Sequence, residues 1–144
     1  MNVAQILRHK GSSDVATITS SETVADAAAA LSARRIGALV VSDDGSRVAG
    51  IISERDLVRW LGKEGAACLA RPVADVMTTR VETCVPSEEI ADIMARMTAG
   101  RFRHLPVLDN GRLAGVVSIG DAVSFRMSEL EHERAALADM IKGF

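Results

Sequence analysis

Two heptapeptides, Gly50-Ile51-Ile52-Ser53-Glu54-Arg55-Asp56 and Gly115-Val116-Val117-Ser118-Ile119-Gly120-Asp121, share one pattern: glycine, two β-branched residues, serine, two variable residues and aspartate. Paired β-branched residues favour a strand, and a serine followed three residues later by an acid is typical of a helix N-terminus. Each heptapeptide therefore predicts a buried strand that ends where a helix begins.

The sequence around the heptapeptides is also duplicated. With a shift of 66 positions, Val15–Gly45 aligns on Val81–Gly111, and a shift of 65 continues the match through the heptapeptides. The leading segments Val3–Leu7 and Val73–Met77 resemble each other as well. Self-similarity of this extent indicates a duplicated structural unit.

Each unit is predicted to contain the elements β-α-β-β-α over about 60 residues. The alanine-rich segment Thr23–Arg35 predicts a helix, and Ser87–Glu89 opens its twin. The turn signals Asp43–Ser46 and Asp109–Gly111 predict one β-hairpin in each unit. Because a unit of this size buries little surface alone, we predict an α+β fold in which two units pack sheet to sheet around a pseudo-two-fold axis.

The predicted organisation is a first unit at residues 1–62, a joint at 63–72, a second unit at 73–126 and a C-terminal amphipathic helix at 127–144. The apolar residues of this helix recur at spacings of three and four. We expect a second copy of the chain to cover them in a homodimer. The alternative is that the helix folds back along its own chain. The apolar positions are Val123, Met127, Leu130, Leu137, Ile141 and Phe144.

The composition limits the classes of function. The chain has 144 residues, a net charge of −2 and only 3% aromatic side chains, which disfavours nucleic-acid binding. It has no run of about 18 apolar residues and no signal-peptide pattern, which predicts a cytoplasmic protein that does not enter membranes. Cys68 and Cys84 lack metal-site or redox-motif spacing and are predicted to be reduced and structural, and no metal is expected.

The serine and aspartate of each heptapeptide have two interpretations. In the first, Ser53 and Ser118 are helix N-caps, and Asp56 and Asp121 complete the caps. In the second, the positive helix end faces a ligand, and each aspartate binds two vicinal hydroxyls such as those of a ribose. The two are compatible, since an aspartate in the first turn can also present its carboxylate to a ligand.

Two β-α-β-β-α units, each with Gly-x-x-Ser-x-x-Asp, resemble a tandem pair of cystathionine-β-synthase (CBS) domains, the Bateman module. The resemblance covers about residues 3–125. It implies a stand-alone regulatory module of bacterial type that binds an adenosine-containing ligand in clefts between the two repeats and has no catalytic activity. The ligands implied are AMP, ADP, ATP, NAD(H) and S-adenosylmethionine.

The resemblance also implies which residues contact the ligand. Asp56 and Asp121 are the expected ribose-binding acids of two clefts, with Ser53 and Ser118 near ribose or phosphate oxygens. The other expected contacts are Ile51, Thr83 and Cys84 in the Asp56 cleft, and Thr17, Ile18, Ser20, Val116, Arg103 and His104 in the Asp121 cleft.

The Asp121 cleft is expected to be the main site, because Arg103 and His104 are placed there as phosphate contacts. Arginine suits forked contacts with phosphate, and His104 is expected to be a stronger donor below about pH 6.5. The alternative for both residues is a solvated surface position.

No enzyme is expected, because the phosphate-loop, dinucleotide-binding and nucleophile-elbow motifs are missing. The main hypothesis is a sensor that binds an adenine nucleotide and relays the binding to an unidentified protein partner. The alternative is a ligand-independent dimerisation or scaffold protein in which Ser53 and Ser118 act only as helix caps.

Overall fold

The computed structural model describes residues 1–11 and 15–143. Helices and short strands alternate along the chain, so the predicted α+β class is confirmed. In chain order the elements are α1 (Val3–Lys10), β1 (Thr17–Ile18), α2 (Val24–Arg34), β2 (Ala38–Val41), β3 (Gly50–Ser53), α3 (Glu54–Glu64), a 3₁₀ helix (Gly65–Ala70), α4 (Val73–Val76), α5 (Ile90–Gly100), β4 (His104–Asp109), β5 (Arg112–Ser118) and α6 (Ile119–Lys142).

Reciprocal hydrogen bonds fix the start of the helix that follows each heptapeptide. The Ser53 hydroxyl accepts from the Asp56 amide, and the Asp56 carboxylate accepts from the Ser53 amide. Ser118 and Asp121 make the same exchange at the start of α6, and α1 and α2 begin with capping boxes too. The capping interpretation of both heptapeptides is therefore confirmed.

The start of α5 differs from the predicted one. The helix begins at Ile90, and its N-cap, Glu89, makes no side-chain hydrogen bond to the helix. Glu88 instead accepts a hydrogen bond from the Val85 amide at 2.7 Å and forms an ion pair with Arg96 at 3.2 Å. The pattern Ser87–Glu89 therefore stabilises the loop before the helix and does not cap the helix itself.

The strands form one small sheet in each repeat. In the first sheet β1 is parallel to β2, and β2 is antiparallel to β3. The second sheet is the β4–β5 hairpin, and Cys84 bridges Val107 in parallel beside it. The hairpin turn places Asn110 and Gly111 at φ angles of 52° and 78°, and positive angles at both positions are the reason Asn-Gly favours such turns. Both predicted hairpins are confirmed.

The two sheets face each other, as predicted. All four residues of β2 are buried. Leu39 and Val41 belong to the core of the first repeat, whereas Ala38 lines a cavity together with Val116 and Asp121 of the second repeat. Burial on both faces of a strand requires a packed layer on each side, and here the second layer is the other repeat.

The two hydrophobic cores exchange their first helices. Val3 and Ile6 of α1 are completely buried in the core of the second repeat, and Val73 of α4 is completely buried in the core of the first. The packing units therefore differ from the sequence units at 1–62 and 73–126. Each core is completed by a helix from the other half of the chain, so neither half keeps its core when it is alone.

The segment between the repeats is ordered and packed. The 3₁₀ helix places Cys68, which is fully buried, in the core of the first repeat. Arg71 forms an ion pair with Glu64 at 2.8 Å, and its guanidinium carbon lies 5.0 Å from the centre of the Trp60 ring. These contacts attach the predicted joint at 63–72 to α3.

Helix α6 is a single helix of 24 residues. The predicted extension at 127–144 is therefore the continuation of the last helix of the second repeat; its final residue, Phe144, lies outside the described residues. None of the helices in the described part of the chain is long and apolar enough to span a membrane. The large apolar side chains that α6 exposes are Val123, Met127, Leu130, Leu137, Met140 and Ile141.

Equivalent glycines of β3 and β5 are expected to respond differently to a Cβ atom. A Cβ at Gly50 would lie 2.8 Å from the backbone oxygen of Thr78, whereas a Cβ at Gly115 would meet the flexible end of Leu7 at 2.7 Å. Gly50→Ala should lower the free energy of unfolding by about 1–3 kcal/mol. Gly115→Ala should cost less than about 1 kcal/mol, because a side-chain end can move aside.

Urea unfolding measures both losses. Gly62→Ala is the control, because that position lies inside α3 with open space around it and should gain about 0.5–1 kcal/mol. Equal losses of unfolding free energy in Gly50→Ala and Gly115→Ala would contradict the expected difference between a backbone contact and a side-chain contact.

Candidate functional site

Two cavities open where β3 passes into α3 and where β5 passes into α6. The Asp56 cleft has a volume of about 320 Å³, and the Asp121 cleft has a volume of about 180 Å³. Each takes walls from both repeats: Arg103 of the second repeat lines the Asp56 cleft, and Gly37 of the first lines the Asp121 cleft. The two heptapeptides thus lie at equivalent places, but the cavities differ in size.

The two oxygens of the Asp56 carboxylate have different partners, one in the helix cap and one at the cleft. Its Oδ2 accepts from the amide and hydroxyl of Ser53 at 2.9 and 3.1 Å. Among the described residues, its Oδ1 has only long contacts, to Thr78 Oγ1 at 3.4 Å and to Arg59 Nη1 at 3.7 Å. The side chain is only 5% exposed, so Oδ1 is a buried acceptor with remaining capacity for a hydroxyl donor.

The wall of the Asp56 cleft is electropositive. Among the acids that line it, Glu82 already forms an ion pair with Arg96 at 2.6 Å. Guanidinium groups provide fixed donors for phosphate or carboxylate oxygens, so the wall suits an anionic group placed beyond Asp56. The lining arginines are Arg55, Arg59, Arg80, Arg101 and Arg103, and the lining acids are Glu54, Asp56 and Glu82.

The end of α5 directs this basic segment into the cleft. Arg101 has a left-handed φ angle of 55°, as does its equivalent Arg35 at 53°. The Arg101 carbonyl accepts a hydrogen bond from Arg55 Nη1 at 3.0 Å. This bond joins the two repeats at the rim of the Asp56 cleft.

The Asp121 carboxylate is bound by a lysine from α1. Lys10 Nζ lies 2.9 Å from Asp121 Oδ2 and donates to the Val116 carbonyl at 2.8 Å. The Ser118 amide donates to the same Oδ2 at 2.9 Å. Burial alone would raise the pKa of Asp121, but the hydrogen bonds from Lys10 and Ser118 outweigh it and lower that pKa.

His104 lines both cavities and lies next to Gly37, where an added Cβ would be 3.2 Å from the imidazole. Burial is the main cause that lowers the pKa of His104; the charges of Lys10 and Arg103 lower it further, and those of Asp121 and Glu54 partly offset the effect. The expectation of a stronger donor below about pH 6.5 is corrected, because the imidazole stays neutral to a lower pH.

The structure brings together only part of the predicted site. Arg103 was expected in the Asp121 cleft, but it lines the Asp56 cleft, because α5 ends on that side of the molecule. The predicted residues that line the Asp56 cleft are Ile51, Ser53, Asp56, Arg103 and His104, and those that line the Asp121 cleft are His104, Val116, Ser118 and Asp121.

The predicted contacts from the first strand of each repeat lie outside the lining of these two cavities. Ile18 is in the first core, and Thr17 precedes it on β1. Ser20 donates from its amide and hydroxyl to Asp43 in a turn. Thr83 follows the lining residue Glu82, and Cys84 is a core residue whose thiol pKa burial raises to about 12. Their contact with a ligand stays a prediction.

The cleft residues that sequence reasoning missed include Lys10, Thr78 and Arg80. A signal for two of them is present in the repeat. Extending the match of Val3–Leu7 on Val73–Met77 pairs Lys10 with Arg80, so a basic residue occurs at the same position in each unit.

Comparison with known proteins gives consistent matches. The model of the CBS domain matches this chain twice, at residues 3–63 and 73–128. The chain is similar to the mitochondrial CBS domain-containing protein CBSX3 of Arabidopsis thaliana, with 33% identity over an alignment 148 positions long that covers 98% of this chain and 72% of that protein.

Solved structures show the same arrangement. A crystal structure of a CBS-domain containing protein from Agrobacterium tumefaciens is 45% identical, with a TM-score of 0.84 over 88% of this chain and 99% of the other. A CBS domain protein from Pyrobaculum aerophilum, solved in complex with AMP, has a TM-score of 0.74 over 84% of this chain and 89% of the other; its 23% identity shows the fold alone. The chain belongs to the CBS domain family and carries two copies of the domain in tandem.

Proposed function

We propose that the chain is a regulatory module that binds an adenosine-containing ligand, such as AMP, ADP, ATP or NAD(H), in the Asp56 cleft. The observation that carries the proposal is the pairing of a buried, partly unsatisfied carboxylate oxygen on Asp56 with an arginine-rich wall across a cavity of about 320 Å³. The family relative from Pyrobaculum aerophilum that was solved with AMP supports this ligand class.

The proposed binding mode follows the chemistry of the two walls. Ribose hydroxyls donate to Asp56 Oδ1, and phosphate oxygens accept from Arg101 and Arg103. Ile51 supplies an apolar surface for the base. The mode uses Asp56 without breaking the cap, because Oδ2 keeps its bonds to Ser53.

Ligand binding is proposed to act through the relative orientation of the two repeats. The ligand bridges Asp56 of the first repeat and Arg103 of the second, beside the bond from Arg55 to the Arg101 carbonyl. A ligand at a hundredfold excess over its Kd stabilises the bound arrangement by about 2.7 kcal/mol. That is enough to shift a two-state equilibrium of a few kcal/mol, which a partner protein then reads without any catalytic step.

A scaffold without a ligand is the second candidate function. It is favoured by the completed capping boxes, since Ser53 and Ser118 are already satisfied within the chain. In that case the clefts are gaps between the repeats that bind no ligand. Ligand binding distinguishes the two functions.

We also propose that the chain forms a homodimer through α6. The distal part of this helix exposes Leu137 and Ile141 at 61% and 76%, and most of the stability of helices in proteins comes from packing of an apolar face. Val58 on α3 and its repeat equivalent Val123 are exposed as well. A second copy covers these side chains in the proposed dimer.

The first prediction of the proposed function concerns the ligand. At least one of AMP, ADP, ATP, NAD, NADH and S-adenosylmethionine, at millimolar concentration, is expected to raise the melting temperature. Asp56→Asn should weaken binding by about ten- to a hundredfold in calorimetry, because the acceptor for the ribose hydroxyls loses its charge. The matched control is Asp26→Asn, which alters a capping box in α2 that lies outside both clefts. If no ligand raises the melting temperature, the scaffold function replaces the sensor.

The second prediction concerns pH. The folded-state pKa of His104 is lowered by burial, so the unfolded chain takes up the proton first. Stability should therefore fall as the pH drops below about 6.5, and His104→Gln should remove part of that fall between pH 7.5 and about 5.5. Urea unfolding at both pH values measures it, with the exposed His132→Gln as control. An unchanged fall in His104→Gln would contradict the cause assigned to the shift.

The third prediction concerns oligomeric state. Leu137→Glu combined with Ile141→Glu is expected to convert a dimer into a monomer, because charges would replace the apolar contact surface. Ala135→Glu on α6 is the control, since Ala135 lies on the opposite side of the helix from Leu137. Sedimentation velocity distinguishes the states, and a monomeric wild-type chain would refute the dimer.

A further inference from the structure

Lys10 occupies the Asp121 cleft. Its ammonium group donates to the Val116 carbonyl at 2.8 Å and pairs with Asp121 Oδ2 at 2.9 Å. Both partners belong to the heptapeptide region of the second repeat, whereas Lys10 is the last residue of α1. Lys10 and Asp121 both line this cavity, so the ammonium stands beside the carboxylate in the space that a ligand of Asp121 would enter.

The equivalent place in the other cleft is filled differently. Ile51, the equivalent of Val116, exchanges backbone hydrogen bonds with Thr78 at 2.9 and 3.0 Å. The hydrogen bond from Thr78 Oγ1 to Asp56 Oδ1 is long, at 3.4 Å. The Asp56 carboxylate therefore has a neutral, weakly bound neighbour where Asp121 has a cation.

The lengths of the two exchanged helices explain this difference. Helix α1 has eight residues and ends at Lys10, with Gly11 in a left-handed conformation, whereas α4 has only four residues and ends at Val76. After the shorter helix, Thr78 forms an isolated β-bridge with Ile51 of β3. The longer helix brings Lys10 to Val116, the equivalent position on β5.

The basic residue that the repeat pairs with Lys10 behaves differently. Arg80 lines the Asp56 cleft, and within residues 1–11 and 15–143 it forms no ion pair. In one cleft Lys10 is bound to the aspartate at 2.9 Å. In the other, Arg80 is separate from Asp56, and Arg59 reaches the carboxylate only at 3.7 Å. Only the second arrangement leaves both groups available to a ligand that has a ribose and a phosphate.

We propose that Lys10 closes the Asp121 cleft to adenosine-containing ligands, so that the chain binds one ligand, in the Asp56 cleft. This rests on the proposed function for the identity of the ligand. Ribose hydroxyls at Asp121 would compete with Lys10 for the carboxylate, and the bond from Lys10 is a charge-assisted hydrogen bond, which is about twice as strong as a neutral one. The smaller volume of the Asp121 cleft, about 180 Å³ against about 320 Å³ for the Asp56 cleft, also disfavours binding of a ligand there.

The experiment is calorimetric titration of the full chain with AMP and with ATP. The wild-type chain is expected to bind one ligand and Lys10→Met to bind two. Lys10→Arg, which keeps the charge, is expected to bind one. Lys63→Met is the control for loss of a lysine elsewhere, and if Lys10→Met does not fold, Lys10→Gln takes its place. The double variant Lys10→Met with Asp56→Asn is expected to bind one ligand, through Asp121.

The outcomes separate this inference from the proposed function. Two ligands on the wild-type chain, or weaker binding in Lys10→Met, would overturn the role of Lys10 and leave the Asp56 site in place. No binding to the wild-type chain, but one ligand on Lys10→Met, would refute the Asp56 site and support closure by Lys10. No binding to either chain would refute both.

A measurement without ligand tests the position of Lys10. Burial is the main cause that lowers the pKa of His104, and the Lys10 charge adds to it. Lys10→Met is therefore expected to raise the pKa of His104 in an NMR titration of the imidazole, whereas Lys63→Met should leave it unchanged. An unchanged His104 titration in Lys10→Met would place Lys10 outside the cleft and overturn the proposal.

Discussion

The reciprocal hydrogen bonds between serine and aspartate in each heptapeptide are the constraint on which the fold and the candidate site both depend. They satisfy amides that the start of a helix otherwise leaves unpaired, and they fix the residue at which a strand becomes a helix. They also use one oxygen of the Asp56 carboxylate and leave the other at the cleft. A local motif therefore determines the helix start, the carboxylate orientation and the position of the cavity.

The exchange of α1 and α4 joins the two repeats into one body. Because Ile6 completes the second core and Val73 the first, the repeats cannot separate without exposing a core. Such an assembly suits a small change of orientation. A ligand between the walls of the Asp56 cleft would act on that orientation directly, since Arg55 and the Arg101 carbonyl already connect the repeats at the rim.

The features that the sequence predicts correctly are local. The Asn110–Gly111 turn and both heptapeptide caps depend on residues within a few positions of one another, so periodicity and cap patterns suffice. The division of residues between the two clefts depends on packing across the repeats. Arg103 was placed in the wrong cleft for that reason, and Lys10 was missed because its partner Val116 lies 106 positions away in the chain.

The two clefts have equivalent residues on their strand side and different residues on the opposing side. Arg103 stands at the Asp56 cleft, whereas its repeat equivalent, Gly37, brings no side chain to the Asp121 cleft. The Asp121 cleft obtains its cation from Lys10 instead, in direct contact with the carboxylate. A carboxylate and a cation on separate walls attract the two ends of a polar ligand, whereas a pair already in contact satisfies itself. Duplicated strands and helices therefore leave two cavities of unequal chemistry, and the residues outside the heptapeptides set the difference.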